Sequence, residues 1–163
     1  MKQLGRLALI AMLLIAMLTL LAACSSGGPV RRVSEPAASI QQITVRANGS
    51  WAVDLRIENF SSVQTRFDAV SLMINMGGQA AGTLQGNPGI SIGPESAEVV
   101  TLSHTPSSAA RIVLADALSA NRGVNYSFKG TLGATPDKGS ARSYEVERSS
   151  SLSPAPGLPG VLR

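Results

Sequence analysis

The sequence predicts a mainly β domain, an antiparallel sandwich with one short α-helix, on three observations. Residues 50–58 alternate apolar and polar side chains without a break. Similar short alternating segments recur along the chain and are separated by Gly, Pro and Asn. A single later segment, residues 105–123, changes to the spacing of an amphipathic helix. Alternation with a period of two is typical of half-buried strands, whereas apolar residues three and four apart indicate a helix.

The clearest strand covers residues 50–58. Because successive side chains of a strand point to opposite faces, one face of this strand is polar and the other apolar. The apolar face carries Trp51, Val53, Leu55 and Ile57. Ile43 and Val45 indicate a partner strand just before it. Asn48-Gly49, between the two strands, predicts a hairpin with a type I′ turn, because these residues tolerate the positive φ angles that this turn requires.

Further strands follow at short intervals. Alternation indicates strands at residues 70–76, 79–85, 97–104, 125–132 and 142–148, with a brief one at 89–93. The total of about seven short strands is typical of a sandwich of the immunoglobulin or fibronectin type III kind.

The predicted helix lies within residues 105–123. Thr105 and Pro106 are suited to the N-cap and the first helical position, and Gly123 is suited to the C-terminal cap. The apolar stripe consists of Ala110, Val113, Leu114, Ala117 and Leu118.

Residues 1–23 have the organisation of a signal peptide. Lys2 and Arg6 supply a positive start, residues 7–21 form an uncharged apolar run, and Ala22 and Ala23 are small residues at a cleavage site. The alternative is a membrane anchor. Residues 7–23 are at the lower limit of the roughly 17–25 residues that span a bilayer, and no basic cluster follows them directly. We therefore predict a cleaved signal.

Removal of this signal leaves a nearly neutral chain. The full sequence has 14 basic and 10 acidic residues, and without Lys2 and Arg6 it has 12 and 10. Because no basic run remains, the sequence predicts no nucleic-acid partner. The isolated Arg31-Arg32 pair is expected to be solvated, with contact to anionic head groups as the alternative.

The only cysteine, Cys24, follows Leu21-Ala22-Ala23 at the end of the apolar run. One cysteine excludes an intramolecular disulfide and a cysteine-based metal site. The string resembles the lipobox of bacterial lipoproteins. The resemblance implies cleavage between Ala23 and Cys24, thioether attachment of a diacylglyceryl group to Cys24, and acylation of the new N-terminus with a fatty acid such as palmitate. The alternative is a cysteine that is never modified.

Ser25 bears on where such a lipoprotein would reside. In Gram-negative lipoproteins an Asp after the lipidated cysteine typically retains the protein in the inner membrane. A Ser resembles the default that is sorted to the outer membrane. We therefore expect the protein at the periplasmic face of the outer membrane if its source is Gram-negative. Two or three acyl chains hold a protein permanently, because each buried methylene contributes about 0.8 kcal/mol.

The expected organisation has four parts. Residues 1–23 are the signal peptide, and residues 24–38 are the lipidated cysteine with a flexible tether. Residues 39–148 are the sandwich domain. Residues 149–163, rich in Ser and Pro, are expected to be a disordered tail.

The charged residues predict no catalytic pair. Asp54 and Glu58 share a strand face, but at about 3.3 Å per residue they lie about 13 Å apart, beyond the roughly 5–9.5 Å that separates glycosidase carboxylates. With Arg56 between them, they are interpreted as a solvated charged stripe. His104, the only histidine, is interpreted as a strand-end residue because no G-x-S-x-G sequence supplies a nucleophile. We predict no enzyme activity, no metal site and no small-molecule cofactor.

Two further features have a structural interpretation. The string GNPGISIG, residues 86–93, lacks the Lys-Ser/Thr of a phosphate-binding loop and is read as turns. Five aromatic residues are assigned to the core instead of to a ligand-stacking surface. They are Trp51, Phe67, Tyr126, Phe128 and Tyr144.

Several short strings between residues 39 and 148 match the sequence pattern of a known protein family. The residues that carry it are Asn59, Leu72, Ile74, Gly78, Ala80, Gly82, Pro94, Val99, Leu102, Tyr126, Gly130 and Leu132. With the strand order, they resemble the late-embryogenesis-abundant type 2 family, also called the WHy (water stress and hypersensitive response) domain. Phe60 and Ser61 stand where the family has Pro and Asn of an Asn-Pro-Asn turn. The resemblance implies a β-sandwich with a short helix and a link to desiccation or stress tolerance, in a domain that bacteria often carry on lipoproteins.

These observations combine into one functional expectation and one alternative. The expectation is a lipid-anchored, non-catalytic periplasmic protein that acts in envelope stress tolerance, with the bilayer as its partner. The alternative is an accessory lipoprotein subunit that docks on an envelope or secretion complex. It would use an exposed strand edge or the proline-rich tail as its contact.

Overall fold

Two antiparallel sheets face each other in the computed structural model, which describes residues 30–163. Residues 31–163 form one structural unit. Its strands are β1 (Ala37–Val45), β2 (Trp51–Asn59), β3 (Thr65–Met76), β4 (Gln79–Gly86), β5 (Ile90–Ile92), β6 (Ser96–His104), β7 (Val124–Pro136), β8 (Arg142–Leu152) and β9 (Val161–Leu162). The single described helix, α1, covers Ser108–Ser119. The predicted fold class is confirmed.

The first sheet has the strand order β6-β2-β1-β9 and the second has the order β4-β3-β7-β8, with β5 paired to β3. The chain makes one hairpin in the first sheet and one in the second. It then returns to the first sheet as β6, beside β2, before it forms the β7–β8 hairpin in the second. Such crossings between sheets are the Greek-key connections of immunoglobulin-like sandwiches.

The core lies between the sheets and follows the predicted alternation. On β2 the side chains of Trp51, Val53, Leu55 and Ile57 are at most 1% exposed. The facing residues of β3, among them Leu72 and Ile74, are equally buried. Burial of side chains this size contributes roughly 1.5–3 kcal/mol each, so the alternation of β2 decides which of its faces meets the core.

Gly130 lies at a close approach of two strands in the second sheet. It lies in β7 opposite Leu72 of β3. A Cβ at this position would lie 2.0 Å from the Ser71 carbonyl oxygen and 2.8 Å from the Leu72 Cα. Both atoms belong to the backbone and cannot rotate away, so the close approach of β3 and β7 here admits only glycine.

The helix begins later than predicted. Its N-cap is Ser107, whose side chain accepts a hydrogen bond from the backbone N–H of Ala110 at 3.2 Å. The same hydroxyl donates to the Ala80 carbonyl at 2.6 Å, which ties the cap to β4. Thr105 therefore is not the cap. The predicted C-terminal role of Gly123 is also wrong, because the cap is Ala120 and the chain turns at Asn121, with φ +48°.

The predicted hairpin between β1 and β2 is present, but its turn is not type I′. Only Gly49 of the Asn48-Gly49 pair has a positive φ, at +78°. Its N–H donates to the Arg46 carbonyl at 2.9 Å, and the Arg46 N–H donates to the Ser50 carbonyl at 2.9 Å. This is the three-residue loop in which a type I turn precedes a left-handed glycine. Asn48 accepts from the Ser50 N–H instead of adopting positive φ.

The prediction of a disordered tail at residues 149–163 is wrong. β8 continues to Leu152, and β9 pairs with Ile43 and Thr44 of β1. Ser153 and Arg163 exchange two backbone hydrogen bonds of 2.7 and 2.8 Å. The prolines lie in and beside the tight loop between these segments, where no ladder donor is needed. Composition suggested disorder, but residues 153–163 close into a hairpin against β1.

The predicted flexible tether at residues 24–38 is also wrong over its second half. β1 begins at Ala37, two residues before the predicted start of the domain. The segment before it, residues 31–34, is hydrogen-bonded to the loop between β2 and β3. Residues 24–29 lie outside the described part of the chain.

Candidate functional site

The two ends of the sandwich differ, and we name them by their contents. The latch end consists of residues 31–36, the β2–β3 loop (60–64), the β5–β6 turn (93–95) and the β7–β8 turn (137–141). The helix end consists of α1, the β1–β2 and β3–β4 turns, and the hairpin at residues 153–163.

The residues predicted for lipidation, cleavage and sorting are Cys24, Ala23 and Ser25, and they lie outside the described residues. Within residues 30–163 the structure contains no helix long and apolar enough to cross a membrane. The same part of the chain has no group of three or more His, Cys, Asp or Glu side chains that could hold a metal ion.

The latch is a short two-sided pairing between residues 32–34 and the β2–β3 loop. The Arg32 N–H donates to the Ser62 hydroxyl at 2.8 Å, and the Ser62 N–H donates to the Arg32 carbonyl at 3.0 Å. The Ser34 N–H donates to the buried Ser61 hydroxyl at 3.0 Å. Both serines lie after β2, in the loop where the resembled family has a turn. Residues 32–34, which precede β1, are therefore fixed to the domain.

Asn59 holds the loops of the latch end together. Its side chain is 2% exposed, and its amide donates to the carbonyls of Val63, Ile92 and Gly93 at 2.8–3.1 Å. Its carbonyl oxygen accepts from the Ser61 N–H at 3.0 Å. One buried side chain thus satisfies four backbone groups of two separate loops. Buried backbone groups left without partners cost free energy, so this residue is structurally demanding.

The Arg31-Arg32 pair is not simply solvated, contrary to expectation. Arg32 forms an ion pair with Glu95 at 2.9 Å and donates to the Phe60 carbonyl at 3.2 Å. Arg31 donates to the Asp137 carbonyl. The Arg32 and Glu95 side chains remain 60% and 65% exposed. Because water and salt screen such pairs, this one contributes about 0–1 kcal/mol.

Phe60 is the one aromatic side chain of the chain's six that is exposed, at 48%. The five aromatic residues assigned to the core are buried or half-buried, as predicted. Phe60 follows Asn59 directly and replaces the Pro of the family's turn. Its exposure could not be predicted from the sequence, because Phe60 lies in a loop where no apolar periodicity applies.

The charged stripe on β2 behaves as interpreted from the sequence. Asp54 accepts a hydrogen bond from the Thr101 hydroxyl at 2.6 Å, and Glu58 pairs with Arg56 at 2.9 Å. The two carboxylates have separate partners and do not form a pair that could share a substrate.

His104 lies at the end of β6, as predicted, and is only 5% exposed. Its ring lies 5.8 Å from the Trp51 ring, and Nε2 lies 3.1 Å from the Ala81 carbonyl. A carbonyl only accepts, so Nε2 carries a proton. Burial lowers the pKa of His104, and the bond to Ala81 offsets part of this effect. A neutral imidazole that bridges β6 and β4 is a structural link between the two sheets.

A shallow trough of about 540 Å³ crosses the outer face of the second sheet. Its exposed walls include Met73, Asn75, Lys129 and Glu147. The side chains are mixed in character and contain no aromatic platform on the solvent side. The sequence did not indicate this trough, because its walls come from two hairpins, β3–β4 and β7–β8, that are distant along the chain.

Comparisons with known proteins give similarity of structure but not of sequence. No family model matches the chain, and no curated protein matches it. A solved structure described as a late embryogenesis abundant protein has a TM-score of 0.45 and 16% identity, and the match covers 96% of this chain and 87% of that one. A protein from Arabidopsis thaliana gives 0.45 and 12%, with 78% and 83% covered. A protein from Archaeoglobus fulgidus gives 0.45 and 12%, with 76% and 98% covered. Likeness at this level transfers no activity or partner to this chain.

Proposed function

We propose that this chain is a lipid-anchored, non-catalytic protein of the bacterial cell envelope, and that its WHy-like domain serves in tolerance of desiccation and envelope stress. The observation that carries the anchor is the string Leu21-Ala22-Ala23-Cys24. It ends an uncharged apolar run. Cys24 stands seven residues before Arg31, the first residue of the latch end. The single thiol is placed where lipidation needs a nucleophile, since the thiolate is the reactive form.

The stress role is supported by the sequence resemblance to the WHy domain. Its matched positions include Gly130, for which the packing of β3 and β7 gives a steric reason, and Asn59, which organises the latch end. In this proposal the domain acts through its surface. The lipid keeps that surface at the periplasmic face of the outer membrane in a Gram-negative cell, with Ser25 as the sorting residue.

The anchor is tested by Cys24→Ser in the full chain. We expect the wild-type protein to incorporate labelled palmitate and to fractionate with membranes, and the variant to lose the label and remain unprocessed by the lipoprotein signal peptidase. Ser25→Asp is the matched variant, because it keeps Cys24 but changes the sorting residue. It should retain the label and move to the inner membrane. Labelling of the Cys24→Ser protein would contradict the proposal.

The stress role is tested by deletion of the gene. We expect the deletion strain to survive drying or osmotic shock less well than its parent. The wild-type copy should restore survival and the Cys24→Ser copy should not. Equal survival of the deletion strain and its parent would refute the stress role while leaving the anchor intact.

The accessory-subunit function is a second candidate, favoured by the edge of the second sheet. β8 has 11 residues, and among the described residues it pairs with a strand, β7, on one side alone. An extended segment of a partner can add to such an edge through backbone hydrogen bonds. A photo-crosslinker at Glu145 on β8 should then capture a stoichiometric envelope partner, whereas one at Arg56 on β2, a central strand of the first sheet, should not. Equal capture from both positions would remove this candidate.

A further inference from the structure

We propose that the latch end of the sandwich rests on the phospholipid bilayer, with Phe60 among the head groups, and that the helix end points away from the membrane. The inference rests on the proposed lipidation of Cys24. It adds an orientation and a membrane-contacting surface to the anchor, and it follows from how little chain separates that cysteine from the fixed residues.

The reach of the anchor is set by chain length. Six residues, 25–30, separate Cys24 from Arg31. A fully extended chain spans about 3.3–3.6 Å per residue, so Arg31 lies within about 25 Å of the lipidated cysteine. Because residues 32–34 are held to Ser61 and Ser62, this limit applies to the latch end of the domain and not only to one mobile residue.

The length of the sandwich exceeds that reach. β3 has twelve residues and runs from Thr65 at the latch end to Met76 at the helix end. At about 3.4 Å per residue it is about 37 Å long. If the domain stood upright on its helix end, with β3 perpendicular to the bilayer, Arg31 would be about 37 Å above the membrane, beyond the 25 Å that the chain allows. The closed latch therefore excludes a domain that stands upright on its helix end, and it leaves a domain that stands on the latch end or lies on one side. Of these two, the exposed Phe60 at the latch end favours the first.

The side chains of the latch end favour direct contact with the bilayer over a position that is only close to it. Phe60 is 48% exposed. The exposed cations at the same end include Arg31, Arg32 and Lys138. Aromatic side chains beside cations partition to the interface of bilayers that contain anionic lipid. The exposed acids at the same end include Glu35, Glu95 and Asp137, and they offset these cations. The aromatic contact and the chain length thus set the orientation, and charge is secondary.

The experiment compares two labelled positions in the lipidated full chain. Cys24 is consumed by the lipid, so an introduced cysteine is the only free thiol. An environment-sensitive fluorophore is attached at Ser140→Cys in the latch end or at Ala47→Cys in the helix end, both exposed. The protein is reconstituted in vesicles of phosphatidylethanolamine and phosphatidylglycerol that carry a head-group quencher. We expect quenching to be several-fold stronger at position 140.

Two variants, one of them with a matched control, separate the contribution of Phe60 to the orientation from that of chain length. Phe60→Ala should lower quenching at position 140, whereas Ile112→Ala, which removes an apolar side chain that is 70% exposed at the helix end, should leave it unchanged. Insertion of about 12 Gly and Ser residues between residues 29 and 30 adds about 40 Å of reach. The insertion should reduce the difference in quenching between positions 140 and 47, and the reduction should be largest when the insertion is combined with Phe60→Ala.

The outcomes distinguish this inference from the anchor itself. Equal quenching at the two positions, or stronger quenching at position 47, in protein that floats with the vesicles would overturn the orientation and leave lipidation standing. Protein that does not float would overturn the lipid anchor, and the orientation with it.

Discussion

Different interactions hold the loops at the latch end and at the helix end of this sandwich. At the latch end the buried residues include the polar side chains of Asn59 and Ser61, which bind backbone groups of neighbouring loops. At the helix end, Ala110, Leu114 and Ala117 of α1 are buried in the apolar core. The comparison shows two ways to close the open end of a sandwich. A helix covers one end with apolar surface, and directional hydrogen bonds tie the loops of the other.

The largest effect is expected from a cavity under the helix. Leu114→Ala removes a side chain that is 1% exposed, and such truncations cost about 2–5 kcal/mol. Urea unfolding followed by circular dichroism measures the loss. Ile112→Ala, on the exposed side of the same helix, is the control and should change the free energy of unfolding by about 0.5 kcal/mol or less. A small loss for Leu114→Ala would mean that the helix contributes little to this end.

A somewhat smaller effect is expected from Asn59, whose side chain holds the loops of the latch end together. Asn59→Ala leaves three carbonyls and one N–H without their side-chain partner, and we expect a loss of about 2 kcal/mol. The same unfolding measurement applies. Asn75→Ala removes the same side chain at an exposed position of β3 and should be nearly neutral. A neutral result for Asn59→Ala would show that water replaces the amide and that the latch loops do not depend on it.

The third prediction concerns pH at the helix end. Burial lowers the pKa of His104 in the folded state below 6.5, its ordinary value. The unfolded chain therefore binds a proton more readily, and protonation favours unfolding. We expect the free energy of unfolding to be highest above about pH 6.5 and to fall as the pH drops toward the lowered pKa. His104→Gln keeps a donor for the Ala81 carbonyl and should flatten this dependence. An unchanged slope would assign it to other groups.

The smallest effect is expected from the exposed ion pair of the latch end. Arg32→Ala and Glu95→Ala should each cost about 1 kcal/mol or less, and their coupling in a double-mutant cycle should be about 0.5 kcal/mol. Because the pair is exposed to solvent, added salt should reduce the coupling further. A coupling well above this value would show that the latch relies on charge more than on Asn59 and Ser61.

The elements that sequence predicted well are those whose environment follows from a local period. The burial of β2 alternates residue by residue, so its apolar face could be read from Trp51 to Ile57 alone. The helix was located by its apolar stripe, but its cap was misplaced by two residues. Ser107 and not Thr105 is the N-cap, and its hydroxyl also donates a hydrogen bond to the Ala80 carbonyl of β4. These residues are far apart in sequence, so this contact could not be predicted.

The elements that sequence missed depend on pairing between distant residues. β9 exists because residues 161 and 162 meet β1, and a proline-rich composition gives no sign of that. The latch likewise joins Ser34 to Ser61, across a full hairpin. Asn59 was marked only by its resemblance to a family turn. Two of its four hydrogen-bond partners, Ile92 and Gly93, lie 33 and 34 residues away. Hydrogen bonds between such distant residues can be identified only when the folded structure places the loops together.

The pairing of β9 with β1 has a consequence for the order in which the fold is completed. A chain that leaves a ribosome or a membrane channel from its N-terminus releases β1 early, but residues 161 and 162 emerge more than a hundred residues later. Until then, Ile43 and Thr44 lack their partners on that edge of the first sheet. Contacts of such long sequence separation form slowly. The first sheet therefore reaches its final form only after residues 161 and 162 have been released and have paired with β1.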